Sequence, residues 1–424
     1  MAYQIQRGTY DAYGSDALNM DKIVEVLKSI SYTYGYQPIK IPTYEQTELF
    51  TRSAGESSDI VTKEMFSFVD KGGRNISLRP ELTAGTMRAI VTNKLYASDL
   101  PIKCQYFGSA FRYERPQAGR YREFSQFGVE CVGTSSYFND VETISLGYNS
   151  LKMLGFPHII LKINTLGDEE SRNKYKEALK EYFKEKLDLM CPDCKRRYET
   201  NVLRILDCKV PSDKELIKDA PKMKDYLSDD AKVYFENVLA LLDEQQIEYE
   251  IDDTLVRGLD YYSQVVFEYH FISKDGTNLG AIGAGGHYDN LLKEVGGPSL
   301  SSVGFAFGIE RINTLLKEID NEHYEKPFLD CFVVTLGTNT KEYAFLLTQE
   351  LRKSGFKVDM TFENKGFGAQ FKLATRKNAK LAIIVGEDEM NNNAYGVKNL
   401  STQEQVTVTL EELVDYLDEV LMED

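Results

Sequence analysis

The sequence predicts an α+β fold: an antiparallel sheet flanked by helices, split by a helical insertion and followed by a small α/β domain with a mixed sheet. Three observations carry this. The stretches 102–112 and 123–132 are rich in Tyr, Phe, Val and Cys and bound one charged loop, so they read as two antiparallel strands. Residues 168–245 become helical and charge-rich, EESRNKYKEALKEYFKEKL being the clearest piece, before strand-like, glycine-rich sequence resumes near Asp252. Beyond Pro327, FLDCFVVTL, an amphipathic helix to Ser354, FKVDMTF, another helix and KLAIIVG alternate as strand and helix. The expected divisions are 1–167 and 246–326 for the sheet-bearing domain, 168–245 for the insertion and 327–424 for the C-terminal domain.

In chain order, Ile23, Val26, Leu27, Ile30 and Tyr34 recur on one stripe, which predicts a helix over 16–35 closing near Gly35. Tyr36–Tyr44 predicts a strand whose Pro42 cannot donate to a ladder, placing it at a sheet edge or bulge, where a subunit boundary would pair it. At the far end, Thr409 and Glu412 form the pattern of a capping box, with Leu410, Leu413, Leu417 and Leu421 along one helical stripe.

The 424 residues suffice for two to three domains of about 150 residues each. With 42% hydrophobic and 27% charged residues the composition is that of an ordinary globular protein, and no stretch approaches the roughly 20 apolar residues of a membrane span. The polar start MAYQIQRGTYDAYGSD and only six cysteines predict a protein of a reducing cytoplasm. A net charge of −16 opposes indiscriminate adhesion to a polyanion, so any nucleic-acid contact has to be local. The four histidines show no helical metal-pair spacing, which argues against His-based zinc catalysis.

The chemistry concentrates in four places. Alternate residues of a strand share a face, so Phe124, Gln126, Gly128, Glu130 and Val132 point one way, and the glycine leaves a gap through which a small ligand could approach. The same pattern also describes a solvated sheet face. Arg112, Glu114, Arg115, Arg120 and Arg122 crowd the connecting loop; guanidinium groups match phosphate bidentately and Glu114 could accept from an exocyclic base amine, a pairing that suggests a nucleotide. In SSVGFAFGIERINTLL a strand turns through Gly308 into a helix, and Arg311 in its first turn is disfavoured by the helix dipole unless an anion or a salt bridge lies nearby. Finally, LVRGLDYY sets Arg257, Asp260, Tyr261 and Tyr262 beside a strand, with an Arg257–Asp260 ion pair as the structural alternative. GAIGAGGHYDN is neither a dinucleotide nor a P-loop glycine pattern and indicates only close backbone approach.

Together these segments resemble the class II aminoacyl-tRNA synthetases and specifically the histidyl-tRNA synthetase family, over essentially the whole chain. GYQPIKIPTYEQTELFTRSAG, FRYERPQAGRYREFSQFGVE and GFAFGIER look like the three class motifs, while LVRGLDYY and SLRPELTAG are the more diagnostic histidine-specific segments. The resemblance implies a class II synthetase-like catalytic domain that activates L-histidine with ATP to histidyl-adenylate and transfers it to the 3′ end of histidine tRNA. It also implies an anticodon-binding domain at 327–424, insertion helices gripping the acceptor end, a homodimer, and magnesium accompanying ATP. By motif position, Arg112 and Arg311 would hold ATP phosphates, Arg120 the γ-phosphate, Glu114 the adenine amine and Phe124 the adenine face. Arg257 would be the catalytic cation at the α-phosphate and the substrate carboxylate. Glu81, Thr83 and Gln126 would bind the substrate ammonium, and Glu130 and Tyr262 the two imidazole nitrogens, with Tyr261 beside them. A family rival is the synthetase-like regulatory subunit of histidine biosynthesis, which lacks aminoacylation.

Two positions depart from the family pattern. Leu82 stands in the usual R-P-E-G-T-A and is expected to narrow the pocket edge; His287 stands in the usual A-G-G-R-Y-D and is expected to lose a permanent cation. Residues 341–380 hold nine Lys or Arg against four Asp or Glu, a basic segment that could face RNA. Cys191-Pro-Asp-Cys194 with Cys208 looks like part of a zinc knuckle, but no fourth ligand stands at a suitable spacing, so no metal is expected there.

Overall fold

The computed structural model describes residues 3–55, 58–114, 119–259, 261–319, 328–337 and 339–422. Arg115 of the charged loop, Asp260 as partner of Arg257, and the expected boundary at Pro327 lie outside them. The chain divides into two compact units, Met1–Ala12 with Asn19–Tyr324 and Tyr13–Leu18 with Glu325–Asp424.

In the first unit α1 (Ser15–Thr33), which belongs to it from Asn19 onward, leads to β1 (Gln37–Pro38), β2 (Tyr44–Gln46), α2 (Thr47–Ala54), β3 (Ser67–Val69), β4 (Asn75–Leu78) and α3 (Thr83–Thr92). The pair β5 (Ile102–Phe111) and β6 (Glu123–Val132) follows, then α4 (Tyr137–Met153) and β7 (Ile159–Thr165). Helices α5 (Glu169–Lys184), α6 (Pro192–Thr200), α7 (Pro211–Ile217) and α8 (Asp229–Glu244) make up the insertion, with short 3-10 turns between them. The unit closes with β8 (Tyr249–Ile251), β9 (Ser263–Ile272), β10 (Asn278–Tyr288), α9 (Leu291–Glu294), β11 (Ser302–Gly308) and α10 (Ile309–Ile319).

Eight of these strands form one sheet in the order β1-β5-β6-β11-β10-β9-β7-β8. Only the two edge pairs are parallel. The predicted pairing holds along its full length, from Ile102 opposite Val132 to Phe111 opposite Glu123. The expected single strand over 36–44 is instead two short pieces in different sheets. β1 lies at the sheet edge, as Pro42 suggested, whereas β2 joins β4 and β3 in a separate three-stranded sheet. The carbonyl of Pro42 accepts from Arg79 at 3.1 Å, so this turn is fixed from the side.

The insertion helices do not form a unit of their own. In α5 the narrow apolar stripe Tyr175, Leu179 and Phe183 is buried in one cluster with Met87, Val266 and Tyr288 of the sheet-bearing part. In α8, Phe235, Val238 and Leu242 share a second cluster with Ile23 and Leu27 of α1 and Leu146 of α4.

The second unit is a mixed sheet of β12 (Leu329–Thr335), β13 (Val358–Met360), β14 (Ala379–Val385), β15 (Ala394–Asn399) and β16 (Gln405–Thr409), interleaved with α11 (Lys341–Lys353), α12 (Phe367–Arg376), α13 (Glu387–Asn392) and α14 (Leu413–Met422). Its order is β13-β12-β14-β15-β16, parallel on the β12 side and antiparallel beyond β14. The expected capping box does not cap: Thr409 ends β16 and donates to the Glu412 carboxylate at 2.6 Å, and α14 starts only at Leu413. Leu413 and Leu417 are buried as the stripe requires, while Leu410 stays exposed.

No helix among the described residues is long and apolar enough to cross a membrane.

A buried ionic knot pins α4 to β10. His287, 1% exposed, sits between Asp140 Oδ1 at 2.8 Å and Asp289 Oδ1 at 3.0 Å. Asp140 also accepts from the Tyr234 hydroxyl at 3.0 Å, and Asp289 from Ser263 at 2.7 Å and Ser301 at 2.6 Å. Burial by itself disfavours the imidazolium, but Asp140 and then Asp289 outweigh it and hold the pKa up at about 10. The expectation that His287 gives up a cation is therefore corrected, because the ring stays protonated through neutral pH.

A folded-state pKa of about 10 against an ordinary 6.5 gives stability that is complete below 6.5 and is lost as pH rises through about 10. Urea unfolding should show His287→Gln less stable than the parent by about 3 kcal/mol at neutral pH. The gap should narrow as the pH is raised through about 10. A gap that stays constant across that range would show that His287 acts by packing alone.

Candidate active site

β6 supplies the centre of the site. Gln126 and Glu130 project from one face, as the two-residue period predicts, and both line a cavity of about 250 Å³ with Glu81, Thr83, Arg112, Arg257, Tyr261 and Tyr262. A larger cavity of about 460 Å³ is lined by Arg112, Glu114, Arg120, Phe124, Gln126 and Arg311. The two are contiguous, since Arg112, Gln126, Ala281 and Ile282 line both. The residues to which the family resemblance gives substrate or ATP roles thus fall on one cavity or the other, whereas Arg122 of the charged loop lines neither.

The smaller cavity is polar and deeply set. Glu130 is 1% exposed and accepts from the Tyr106 hydroxyl at 3.0 Å and from the Tyr288 hydroxyl. Burial pushes its carboxyl up to about 8, although the Tyr288 and Thr83 hydrogen bonds act in the opposite sense. Glycines make this geometry possible. Gly304 on β11 lies opposite Glu130, and a Cβ there would overlap the carboxylate; Gly128 lies opposite Tyr106, where a Cβ would overlap the phenol. The gap left by Gly128 is thus filled by the Tyr106 ring rather than left open to a ligand, a correction that follows from the strand opposite.

Glu81 caps the start of α3, accepting from the backbone N–H of Thr83 and, at 3.0 Å, of Ala84. Burial raises its carboxyl while those hydrogen bonds counter the shift. Leu82 beside it is 1% exposed and packs with Tyr106 and Ala110, so it sits behind the cavity, and the expectation that it narrows the pocket edge is not met by a lining contact.

Arg257 projects from the segment between β8 and β9. Its ion-pair partner is Glu268 of β9, whose second oxygen meets His270 Nε2 at 2.9 Å. The guanidinium lies 5.7 Å from the Tyr262 ring centroid, and Tyr262 packs on Tyr261 at 4.6 Å. Of the residues lining this cavity, Arg257 and Gln126 each hold a buried side-chain atom, Nε and Oε1, without a hydrogen-bond partner. Buried polar atoms are rarely left so, and a ligand in the cavity would supply what they lack.

The larger cavity is cationic. Arg112 Nε donates to the Pro80 carbonyl at 2.8 Å, and its guanidinium lies 5.4 Å from the Phe124 ring centroid. Glu114 stands between Arg112 at 3.9 Å and Arg120 at 3.7 Å. Arg311, in the first turn of α10, reaches back to the Leu279 carbonyl. Burial lowers its pKa, Glu318 opposes that, and Arg120 lowers it again, so two guanidinium groups repel across the cavity. Three arginines against one carboxylate, two of them fixed by backbone carbonyls, form a receptor for a polyanion with an aromatic ring alongside.

Sequence reasoning gave no role in the site to Tyr106, Tyr288 or Glu268. Tyr106 was within reach, since pairing 102–112 with 123–132 sets it opposite Gly128. Glu268 carried no local signal, lying eleven residues from Arg257 on another element.

The histidyl-tRNA synthetase family model matches residues 8–312, and an anticodon-binding domain model matches 330–420. The histidine–tRNA ligase of Thermosipho melanesiensis is 47% identical over 412 residues, 97% of each chain. That of Bacillus subtilis is 43% identical over 421 residues, 98% of each. The crystal structure of apo S. aureus histidyl-tRNA synthetase superposes with a TM-score of 0.83 at 36% identity, covering 98% of this chain and 100% of that one. With the two joined cavities on its central sheet and these full-length relatives, the chain belongs to the histidyl-tRNA synthetase family.

Proposed function

We propose that this chain is a histidine–tRNA ligase: the carboxylate of L-histidine attacks the α-phosphorus of ATP, diphosphate leaves, and the 3′-terminal ribose hydroxyl of histidine tRNA then displaces AMP from the adenylate. The observation that carries this is the pair of contiguous cavities joined at Arg112, one sized and polarised for a small zwitterion and the other cationic. The attacking carboxylate is already a nucleophile, so the protein's part is positioning and charge stabilisation.

In this reading Arg257 spans the substrate carboxylate and the α-phosphate, with Arg112 sharing the developing charge. Arg120 and Arg311 hold the outer phosphates, Phe124 carries the adenine face and Glu114 takes the adenine amine. Magnesium enters with ATP as part of the substrate. Glu81, Thr83 and Gln126 meet the ammonium, and Glu130 and Tyr262 the imidazole, with Tyr261 beside it. A pocket that offers a partner to each ring nitrogen favours histidine over amino acids whose side chains cannot meet both Glu130 and Tyr262. A third cavity of about 250 Å³, lined by Arg172, Lys176 and Arg204 and sharing Arg257, Tyr261 and Tyr262, offers the tRNA 3′ end a path on the insertion side.

For the anticodon, Arg352, Lys353, Lys365 and Lys377 are tied to carboxylates, whereas Lys372 and Arg376 stand exposed one turn apart on α12. A homodimer is supported by the exposed apolar side chains of Tyr44, Phe68 and Val69 on the small sheet. A cytoplasmic setting fits the six free cysteines. The regulatory-subunit reading is disfavoured by full-length relatives named as ligases.

The deciding experiment is ATP–diphosphate exchange with each of the amino acids in turn: histidine alone should support it, and exchange driven by another amino acid would overturn the reading. Arg257→Ala should lower histidine-dependent exchange by about a hundredfold or more while ATP binding persists; unchanged exchange removes Arg257 from the reaction. Since the carboxyl of Glu130 ionises near pH 8, kcat/KM for histidine should rise with pH to about 8 and then level. Glu130→Gln should abolish that limb, and a profile identical to the parent's would dismiss the role. Charge reversal of Lys372 and Arg376 should weaken tRNA charging by about tenfold and leave exchange intact. Equal loss of both activities would contradict an RNA-facing α12.

A further inference from the structure

The insertion brings together three cysteines and one aspartate that the reaction does not use. Cys191 sits immediately before α6, Cys194 in its first turn, Cys208 after the turn that follows α6, and Asp213 in α7. One potential ligand atom from each lies within 4.8 Å of every other. Cys194 and Asp213 have no exposed surface, and Cys208 is 5% exposed. Sequence spacing offered three thiols and no fourth group; the fold supplies the fourth, a correction invisible in spacing because Asp213 arrives from a separate helix.

Two of the six separations match those of a tetrahedron, and all six lie within 4.8 Å. With zinc–sulfur bonds of about 2.3 Å and zinc–oxygen bonds of about 2.0 Å, tetrahedral angles require sulfur–sulfur separations of about 3.8 Å and sulfur–oxygen separations of about 3.5 Å. Cys191 Sγ and Cys208 Sγ are 3.9 Å apart, and Cys208 Sγ lies 3.4 Å from Asp213 Oδ2. The cluster is also organised around its ligands. The Cys194 backbone N–H donates to Cys191 Sγ at 3.4 Å, and the Asp213 carboxylate is aimed inward by the Cys191 N–H at 3.1 and 3.2 Å and by Ser212 at 3.2 Å. Ligands oriented by such outer hydrogen bonds are characteristic of metal sites.

We propose that Cys191, Cys194, Cys208 and Asp213 bind one structural zinc ion. Three thiolates and one carboxylate suit a borderline-soft, redox-inert cation, and four protein ligands leave no open position for catalysis. The ion braces the insertion where it meets the rest of the unit. α6 and the turn after it carry Arg196, Arg197 and Arg204, which converge on Asp59 at 3.1, 3.0 and 3.3 Å. Arg204 also lines the cavity shared with Arg257.

The test is elemental analysis of the full chain produced with zinc in the medium, joined to cobalt substitution. About one zinc per chain is expected, falling below about a fifth in Cys208→Ser, with Asp213→Ala weakening retention about tenfold or more against a chelator. Cobalt in the parent should give the intense visible absorption of a tetrahedral thiolate site, a readout that stands even if a variant fails to fold. Absence of both zinc and the cobalt spectrum overturns the proposal. So does metal retained undiminished when all three cysteines are replaced by serine, or a Cys191–Cys208 disulfide in the isolated protein.

Discussion

A carboxylate buried in the middle of a sheet is the constraint around which the site is arranged. Glu130 can occupy β6 only because the residue opposite it on β11 is Gly304 and because Tyr106 and Tyr288 bring hydroxyls to its oxygens. Leaving such a group without partners would cost several kcal/mol, roughly the stabilisation of a whole domain. The register of β5, β6, β11 and β10 is therefore dictated by chemistry as well as by packing. A slip of one residue would turn Glu130 to the opposite face and set side chains where glycines now stand.

From that centre the electrostatics grade outward. The inner cavity balances Glu81, Glu130 and Glu268 against Arg112 and Arg257, while the outer cavity sets Arg112, Arg120 and Arg311 against Glu114. Arg112 and Arg311 are held by the carbonyls of Pro80 and Leu279, so their orientation does not await a ligand. Dipoles and charges fixed in advance stabilise developing charge without a reorganisation cost at the moment of reaction. His287 shows the same economy in the fold, where two carboxylates make a titratable ring serve as a lasting cation.

Much of this was legible because it is local. The two-residue period put Gln126 and Glu130 on one face, the aromatic runs announced β5 and β6, and the charge-rich segment announced the insertion. What escaped was non-local. Glu268 reaches Arg257 from a strand with no motif, Tyr106 fills the space under Gly128 from the opposite strand, and Asp213 joins the cysteines from another helix. The strand expected at 36–44 failed for a related reason: its two ends pair with different partners, β5 on one side and β4 on the other. Local pattern reports which face a residue shows, while tertiary pairing decides what meets it.

The clusters shared between the insertion and the sheet set a limit on modularity. Because α5 buries its aromatic stripe against Val266 and Tyr288, and α8 rests on α1 and α4, excising 168–245 would strip the cover from strands of the sheet that carries the two cavities. Homologues are thus free to vary the solvent-facing turns of this segment, but the roots of α5 and α8 have to co-evolve with the enzyme's body, and transplanting the segment would require moving both halves of each seam.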